Sequence, residues 1–275
     1  MSEDATHLPE RGKVWHRYVA IGDSFTEGMS DADPTRDNAY IGWADRLASH
    51  LSALAGGDFS YANLAVRGRL LADVIGPQLD SALALGPDLV SMVGGGNDIL
   101  RPRADLDAIA GRLEAAVVRI RETGADVLLA TPTDPAGAPV LGMLRGRHAI
   151  HSANIFSIAQ QHGAYVINQW GMDALRDLRM WSEDRIHMTS EGHRRVALNA
   201  LSALGHDTDV ADWSTPLPPA PPVGRRDAVA ANAACARTHL APWVQRRIRG
   251  TSSGDAVTAK RPELRPVDQR WPEGH

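Results

Sequence analysis

Five short apolar runs alternate along this chain with segments whose apolar residues recur at helical spacing. No other feature narrows the fold as much. The runs lie at 18–21, 59–66, 88–93, 126–130 and 165–167. Each is rich in β-branched or aliphatic residues and is closed by a turn signal, as at Gly22-Asp23-Ser24 and Gly94-Gly95-Gly96. Between them, Trp43, Leu47, Leu51 and Leu54 mark a helix over 41–55, stopped by Gly56-Gly57. Helical spacing also covers 70–85, with a break expected at Gly76-Pro77, and 104–121, where Leu106, Ile109, Leu113, Val117 and Ile120 share a face. Further helices are expected over 144–162 and 191–204, the last with Thr189 or Ser190 as N-cap. Short strands with no polar face are buried on both sides. Alternated with helices, they imply a parallel sheet between two helical layers, an α/β three-layer sandwich with about five strands.

Composition limits the alternatives. Of 275 residues, 43% are hydrophobic and 23% charged, ordinary for a globular chain. No apolar run approaches the about 18–20 residues of a membrane span, and the first residues lack the apolar stretch of a signal peptide. Cys235 is the single cysteine, so neither an intrachain disulfide nor a thiolate metal cluster can form. We read the protein as cytoplasmic, with no nucleic-acid partner and an oligomeric state the sequence leaves open. The net charge of −4 divides unevenly: residues 1–213 carry −9, and residues 214–275 carry +5 with nine of the seventeen prolines. Only Lys13 and Lys260 among the 29 basic residues are lysines.

That shift places a boundary near Trp213. The body is 1–213, and 214–275 is a proline- and arginine-rich extension, partly docked on the body or flexible. A helix over 228–249, interrupted at Pro242, would present Trp243, Val244 and Ile248 as anchors. Little regular structure is expected after Gly250.

In an open parallel sheet, ligands bind beyond the carboxyl ends of the strands. Strand one ends in Gly22-Asp23-Ser24-Phe25-Thr26-Glu27-Gly28, strand two in Asn63-Leu64-Ala65-Val66-Arg67-Gly68, and strand three in Gly94-Gly95-Gly96-Asn97-Asp98. Asp184-Arg185-Ile186-His187 precedes the last helix. Each piece alone reads as well as a turn, a cap or a surface pair. Together they converge on one rim. The glycine run is not a phosphate loop, since no Lys-Ser/Thr follows it. Asp23, Asp98 and Asp184 lack metal-ligand spacing, so no metal or other cofactor is expected. His151 and His162 are expected at the surface, and His193 inside the last helix away from the chemistry. Asp23 should brace the Ser24 turn and Asp98 its own loop. Tyr40 and Trp43 should serve packing before any substrate pocket.

With those blocks in order, the sequence resembles the SGNH hydrolases, the GDSL esterase/lipase family. GDSFTEG resembles the nucleophile block, NLAVRGR the second, GGNDIL the third and DRIHMTSEGH the last. Phe25 stands where the name-giving motif has leucine. The resemblance covers about residues 18–204 and implies a flavodoxin-like sheet and a small-molecule ester substrate. It implies Ser24 as nucleophile, His187 as base and Asp184 as its orienting partner. It implies an oxyanion hole made of the Ser24 and Gly68 backbone N–H groups and the Asn97 side chain. The chemistry suits these residue types: a serine hydroxyl needs an adjacent base, and the developing oxyanion needs fixed donors. A base must be neutral, so activity should rise with pH. An ester hydrolase with a serine acyl-enzyme is the leading reading. An acyltransferase using the same intermediate is the alternative, and a non-catalytic binding module a third.

Overall fold

Alternate residues of each strand go to opposite faces of one sheet, and each face is covered by its own helices. The computed structural model describes residues 12–37, 39–138, 141–221 and 254–267, with a few single positions between 224 and 238. The expected helix over 228–249 lies almost entirely outside the described residues, with Pro242, Trp243, Val244 and Ile248 all outside them, as is Cys235. From β1 (Arg17–Ile21), Tyr18 and Ala20 pack with Leu47 and Leu51 of α2 (Trp43–Leu54) and with Val196 and Leu201 of α8 (Ser190–Ala203). Val19 and Ile21 face the other way. They join Leu79 of α4 (Leu79–Ala84), Leu113 and Val117 of α6 (Leu106–Arg121) and Ile155 of α7 (Arg145–His162). The period of two along the strand thus splits the core into two apolar layers.

The remaining strands are β2 (Ser60–Asn63), β3 (Leu89–Met92), β4 (Asp126–Ala130), β5 (Tyr165–Ile167) and β6 (Arg261–Pro266). They form a six-stranded sheet in the order β5-β4-β3-β1-β2-β6. The first five are mutually parallel, as expected. β1 therefore lies between β2 and β3: the chain runs from β1 to β2 on one side, then crosses back past β1 to reach β3 on the other. That reversal opens a crevice at the carboxyl ends of β1 and β3.

The sixth strand corrects the expectation of little regular structure after Gly250. β6 pairs antiparallel with β2, with Ser60 opposite Pro266, Tyr61 opposite Arg265 and Asn63 opposite Arg261. Pro262 and Pro266 lack the N–H a central strand needs, but an outer edge strand tolerates them, and here they cap the β2 edge. Prolines and arginines hid this strand from pattern reading. It is held by a neighbour rather than by its own propensity.

The break expected at Gly76-Pro77 takes a specific form. α3 (Leu71–Asp73) runs into a wide turn of π-helix at Val74–Gln78 and continues as α4. The widened turn accommodates Pro77 without ending the helix. It also aims Gln78 at the end of β1. The Gly22 N–H donates to Gln78 Oε1 at 2.8 Å, and Gln78 Nε2 donates to the Gly22 carbonyl at 3.0 Å. Among the described residues no helix is long and apolar enough to cross a membrane.

Candidate active site

Ser24 opens α1 (Ser24–Glu27), a single turn entered directly from β1. Asp23 is its N-cap, with Oδ1 accepting from the Phe25 N–H at 3.1 Å. A residue at the first helical position has no carbonyl one turn earlier for its own N–H, so that donor is available to a ligand.

The Ser24 hydroxyl donates to Nε2 of His187 at 3.0 Å, and His187 Nδ1–H donates to Asp184 Oδ2 at 2.6 Å. Residues 163 positions apart in sequence are in hydrogen-bond contact. The loop bearing the pair is pinched shut at its base, where Trp181 and Met188 form an antiparallel bridge and the Ser182 N–H donates to the His187 carbonyl at 2.8 Å. Inside it, Asp184 Oδ1 accepts from Ser182 Oγ at 2.7 Å, the Ile186 N–H at 2.9 Å and the His187 N–H at 3.0 Å. Wrapping the chain this tightly puts Arg185 in the left-handed region at φ 54°, which is uncommon for a non-glycine residue. Burial acts to raise the Asp184 pKa. The hydrogen bonds from His187 and Ser182 outweigh it and hold the carboxyl well below the usual carboxylate range. Asp184 is therefore an anion across the working pH range. The side chains of His187 and Asp184 keep 17% and 21% of their exposure, so a substrate can reach the imidazole.

Asn97 lies in the short helix α5 (Gly96–Ile99) beyond β3. Its Nδ2 donates to Asp23 Oδ2 and to the Arg69 carbonyl, both at 2.9 Å. It thereby bridges the residue before Ser24 and the residue after Gly68, joining the loops of three adjacent strands. Gly68 has φ 72°, where a side chain would be strained. Asp98 also holds its loop: Oδ2 accepts from the Leu71 N–H at 2.8 Å.

Glu27 was not singled out by sequence reasoning, though it lies within the first block. It is 4% exposed, accepts from the Arg67 N–H at 2.7 Å and is paired with the Arg67 guanidinium. The helix of Ser24 and the loop of Gly68 are thus tied together. The signal for it was an acidic residue in a turn where no solvent role was needed.

Three aromatic rings buttress the nucleophile turn. Phe25, the departure from the leucine of the motif, stacks on Trp43 at 5.5 Å and on His193 at 5.8 Å. His193 is fully buried, and both ring nitrogens are engaged: the Trp43 N–H donates to Nδ1 at 3.2 Å and Nε2–H donates to the Met29 carbonyl at 3.3 Å. It braces the turn and keeps no nitrogen for proton transfer. Tyr40 lies under the Arg67 guanidinium, 5.2 Å from the ring centroid. His162 bonds Glu114 at 2.8 Å on partly exposed ground. His151 corrects its expected surface position. It is 2% exposed, and Nε2–H donates to the Gly94 carbonyl at 3.2 Å, supporting the loop that carries Asn97.

Burial pushes the His193 imidazole down to about 4, against the raising effect of the Asp31 carboxylate. Protonation would also set an N–H on Nδ1 against the Trp43 N–H. The stability from keeping His193 neutral is complete above the unfolded-state pKa of 6.5 and is lost as pH falls through about 4. The expected loss is on the order of 3 kcal/mol. His193→Gln keeps an acceptor and a donor but does not titrate. Urea denaturation at pH 7 and at pH 4 should show a smaller acid loss in the variant than in the wild type. Parallel losses would remove His193 from the acid response.

A family model described as the GDSL-like Lipase/Acylhydrolase family matches residues 20–195. The chain belongs to this family. It is accordingly an ester-cleaving hydrolase of the GDSL acylhydrolase type. No curated protein matches the sequence. Among solved structures it is similar to LAE5, an alpha/beta hydrolase enzyme from the metagenome of Lake Arreo, Spain. That match has 21% identity and a TM-score of 0.59, over 71% of this chain and 98% of that one. It is similar to TesA at 23% identity, TM-score 0.54, over 68% of this chain and 97% of that one. A catalytic mutant of Axe2, an acetylxylan esterase from Geobacillus stearothermophilus, matches at 19% identity, TM-score 0.59, over 73% of this chain and 98% of that one. At these identities the structures share the fold of the GDSL chain. Among the described residues no group of three His, Cys, Asp or Glu side chains gathers to hold a metal.

Proposed function

We propose that this GDSL hydrolase cleaves carboxylic esters through an acyl-enzyme on Ser24. The observation that carries the reading is the unbroken hydrogen-bond chain from Ser24 Oγ through His187 to Asp184. Ser24 Oγ attacks the ester carbonyl carbon while its proton passes to His187 Nε2. Asp184, already anionic, orients the ring and stabilises the imidazolium. The carbonyl oxygen becomes an oxyanion, received by the Ser24 and Gly68 N–H groups and by Asn97 Nδ2. Both Nδ2 hydrogens have partners in the resting site, so one is drawn from Asp23 or the Arg69 carbonyl as the oxyanion forms. Collapse of the tetrahedral species breaks the ester C–O bond, and His187 returns its proton to the departing alcohol. Water then repeats the sequence on the acyl-enzyme and frees Ser24. No step calls for a metal or an organic cofactor. The acetylxylan esterase structures similar to this chain include catalytic mutants with a serine, an aspartate or a histidine replaced by alanine, the same three residue types.

A p-nitrophenyl ester series of increasing acyl length, with Ser24→Ala as blank, tests the reading. Turnover in the wild type above that blank is expected. Equal rates in both proteins would overturn it. Repeating the assay with sugar and simple alcohols, and analysing products for transferred acyl groups, separates hydrolysis from acyl transfer.

A further inference from the structure

Because β6 is antiparallel to β2, it begins where β2 ends. Arg261 stands opposite Asn63, so residues 254–260 run past the rim from which the Gly68 loop and α1 emerge. Two contacts are made there. Arg69 Nη2 reaches the Gly254 carbonyl at 3.5 Å, and a Cβ on Gly254 would lie 2.0 Å from the Arg67 carbonyl oxygen. The backbone at Gly254 therefore presses on both neighbours of Gly68.

Lys260 makes the second contact. Its Nζ donates to the carbonyls of Glu27 at 2.7 Å, Ile41 at 2.6 Å and Tyr40 at 3.0 Å, and to Asp45 Oδ2 at 2.5 Å. Glu27 closes the helix that Ser24 opens. Ile41 precedes Gly42, whose backbone crosses that of Gly28 so closely that a Cβ on Gly42 would sit 2.5 Å from Gly28 Cα. Oxygens from three segments converge on one compact ammonium. An arginine carries a wide planar fork and cannot occupy the same point, which accounts for a lysine here in a chain whose other basic residues are nearly all arginine. Glu27 transmits the restraint, since its carboxylate holds the Arg67 N–H and guanidinium.

We infer that residues 254–267 form an intramolecular strap that sets the spacing between the Ser24 helix and the Gly68 loop, with Lys260 as its positioning residue. This rests on Ser24 being the nucleophile and Gly68 an oxyanion donor. Under it, the carboxyl-terminal segment is part of the catalytic unit although it contributes no reacting group. Loss of Lys260 should displace preorganised groups relative to one another and lower turnover while leaving ground-state binding nearly intact.

Lys260→Ala is assayed on p-nitrophenyl acetate below its own unfolding temperature, with and without methylammonium, which is small enough to fill the vacated ammonium position. Expected is a fall in kcat of about 10–100-fold with KM changed by less than about threefold, and partial recovery with methylammonium. Glu122→Ala, an exposed substitution at the end of α6 and outside residues 254–267, should match the wild type. Folded Lys260→Ala with kcat within about twofold of wild type overturns the inference, as does a purely KM effect. If Lys260→Ala does not fold, Gly254→Ala decides by the same kcat and KM criteria. Labelling of Ser24 by a fluorophosphonate in the wild type separates the two readings. An unlabelled wild type removes the Ser24 reading itself, whereas a labelled wild type with fully active strap variants removes only the strap.

Discussion

Ser24→Ala should remove esterase activity and fluorophosphonate labelling together, with kcat falling by about 10⁴–10⁶-fold. The fold has no reason to change. Ser24 caps nothing through its hydroxyl beyond His187, and α1 is held by Asp23, by Glu27 and by the aromatic stack on Phe25. Intact-mass spectrometry should show one adduct on the wild type and none on the variant. An adduct that persists in Ser24→Ala places the nucleophile elsewhere. In the same assay, Asp184 should add no inflection near neutrality, because its carboxyl is held well below the usual carboxylate range.

Asn97→Ala should lower kcat by about 10²–10³-fold, the usual cost of losing one oxyanion donor, while KM moves little. A donor that meets the oxyanion better than the ground-state carbonyl acts mainly on the transition state. The resting bonds of Asn97 supply a second effect to be separated. Its amide also links Asp23 to the Arg69 carbonyl, and the alanine variant loses that brace as well. Asp23→Asn weakens the brace and keeps both the Asn97 amide and a cap acceptor for the Phe25 N–H. If Asn97 donates to the oxyanion, Asp23→Asn should be far milder than Asn97→Ala. Equal losses would make Asn97 a brace between loops and leave the oxyanion to backbone donors.

Much of the architecture was legible because it is local. The strands of the parallel sheet announce themselves as short apolar runs, since burial on both faces admits almost no polar residue. The long helices do so through the spacing of Leu47 and Leu51, or of Leu113 and Val117. The four blocks were readable for a related reason. Gly22-Asp23-Ser24, Arg67-Gly68, Gly95-Gly96-Asn97 and Asp184 to His187 are each contiguous, and each sits where a strand or loop must turn. The Asp184–His187 pairing is itself local, three residues apart inside one tight loop.

What pattern reading could not supply depends on which segments become neighbours. Ser24 meets His187, and Asn97 joins Asp23 to Arg69, because β1 is placed between β2 and β3, an order no single strand encodes. His193 and His151 are polar residues inside long helices. Only the packing of α8 against α2, and of α7 beneath the Gly94 loop, shows that they are enclosed and what they bond. β6 has a sequence that opposes strand formation on its own. It is extended because the open edge of β2 supplies a pairing partner, and an edge strand tolerates Pro262 and Pro266. Lys260 looks like any surface lysine until Glu27, Tyr40, Ile41 and Asp45 are brought around it. Period and turn chemistry are carried by neighbours in the chain, whereas the partners of a buried polar group lie tens to hundreds of residues away, where one-dimensional periodicity has no reach.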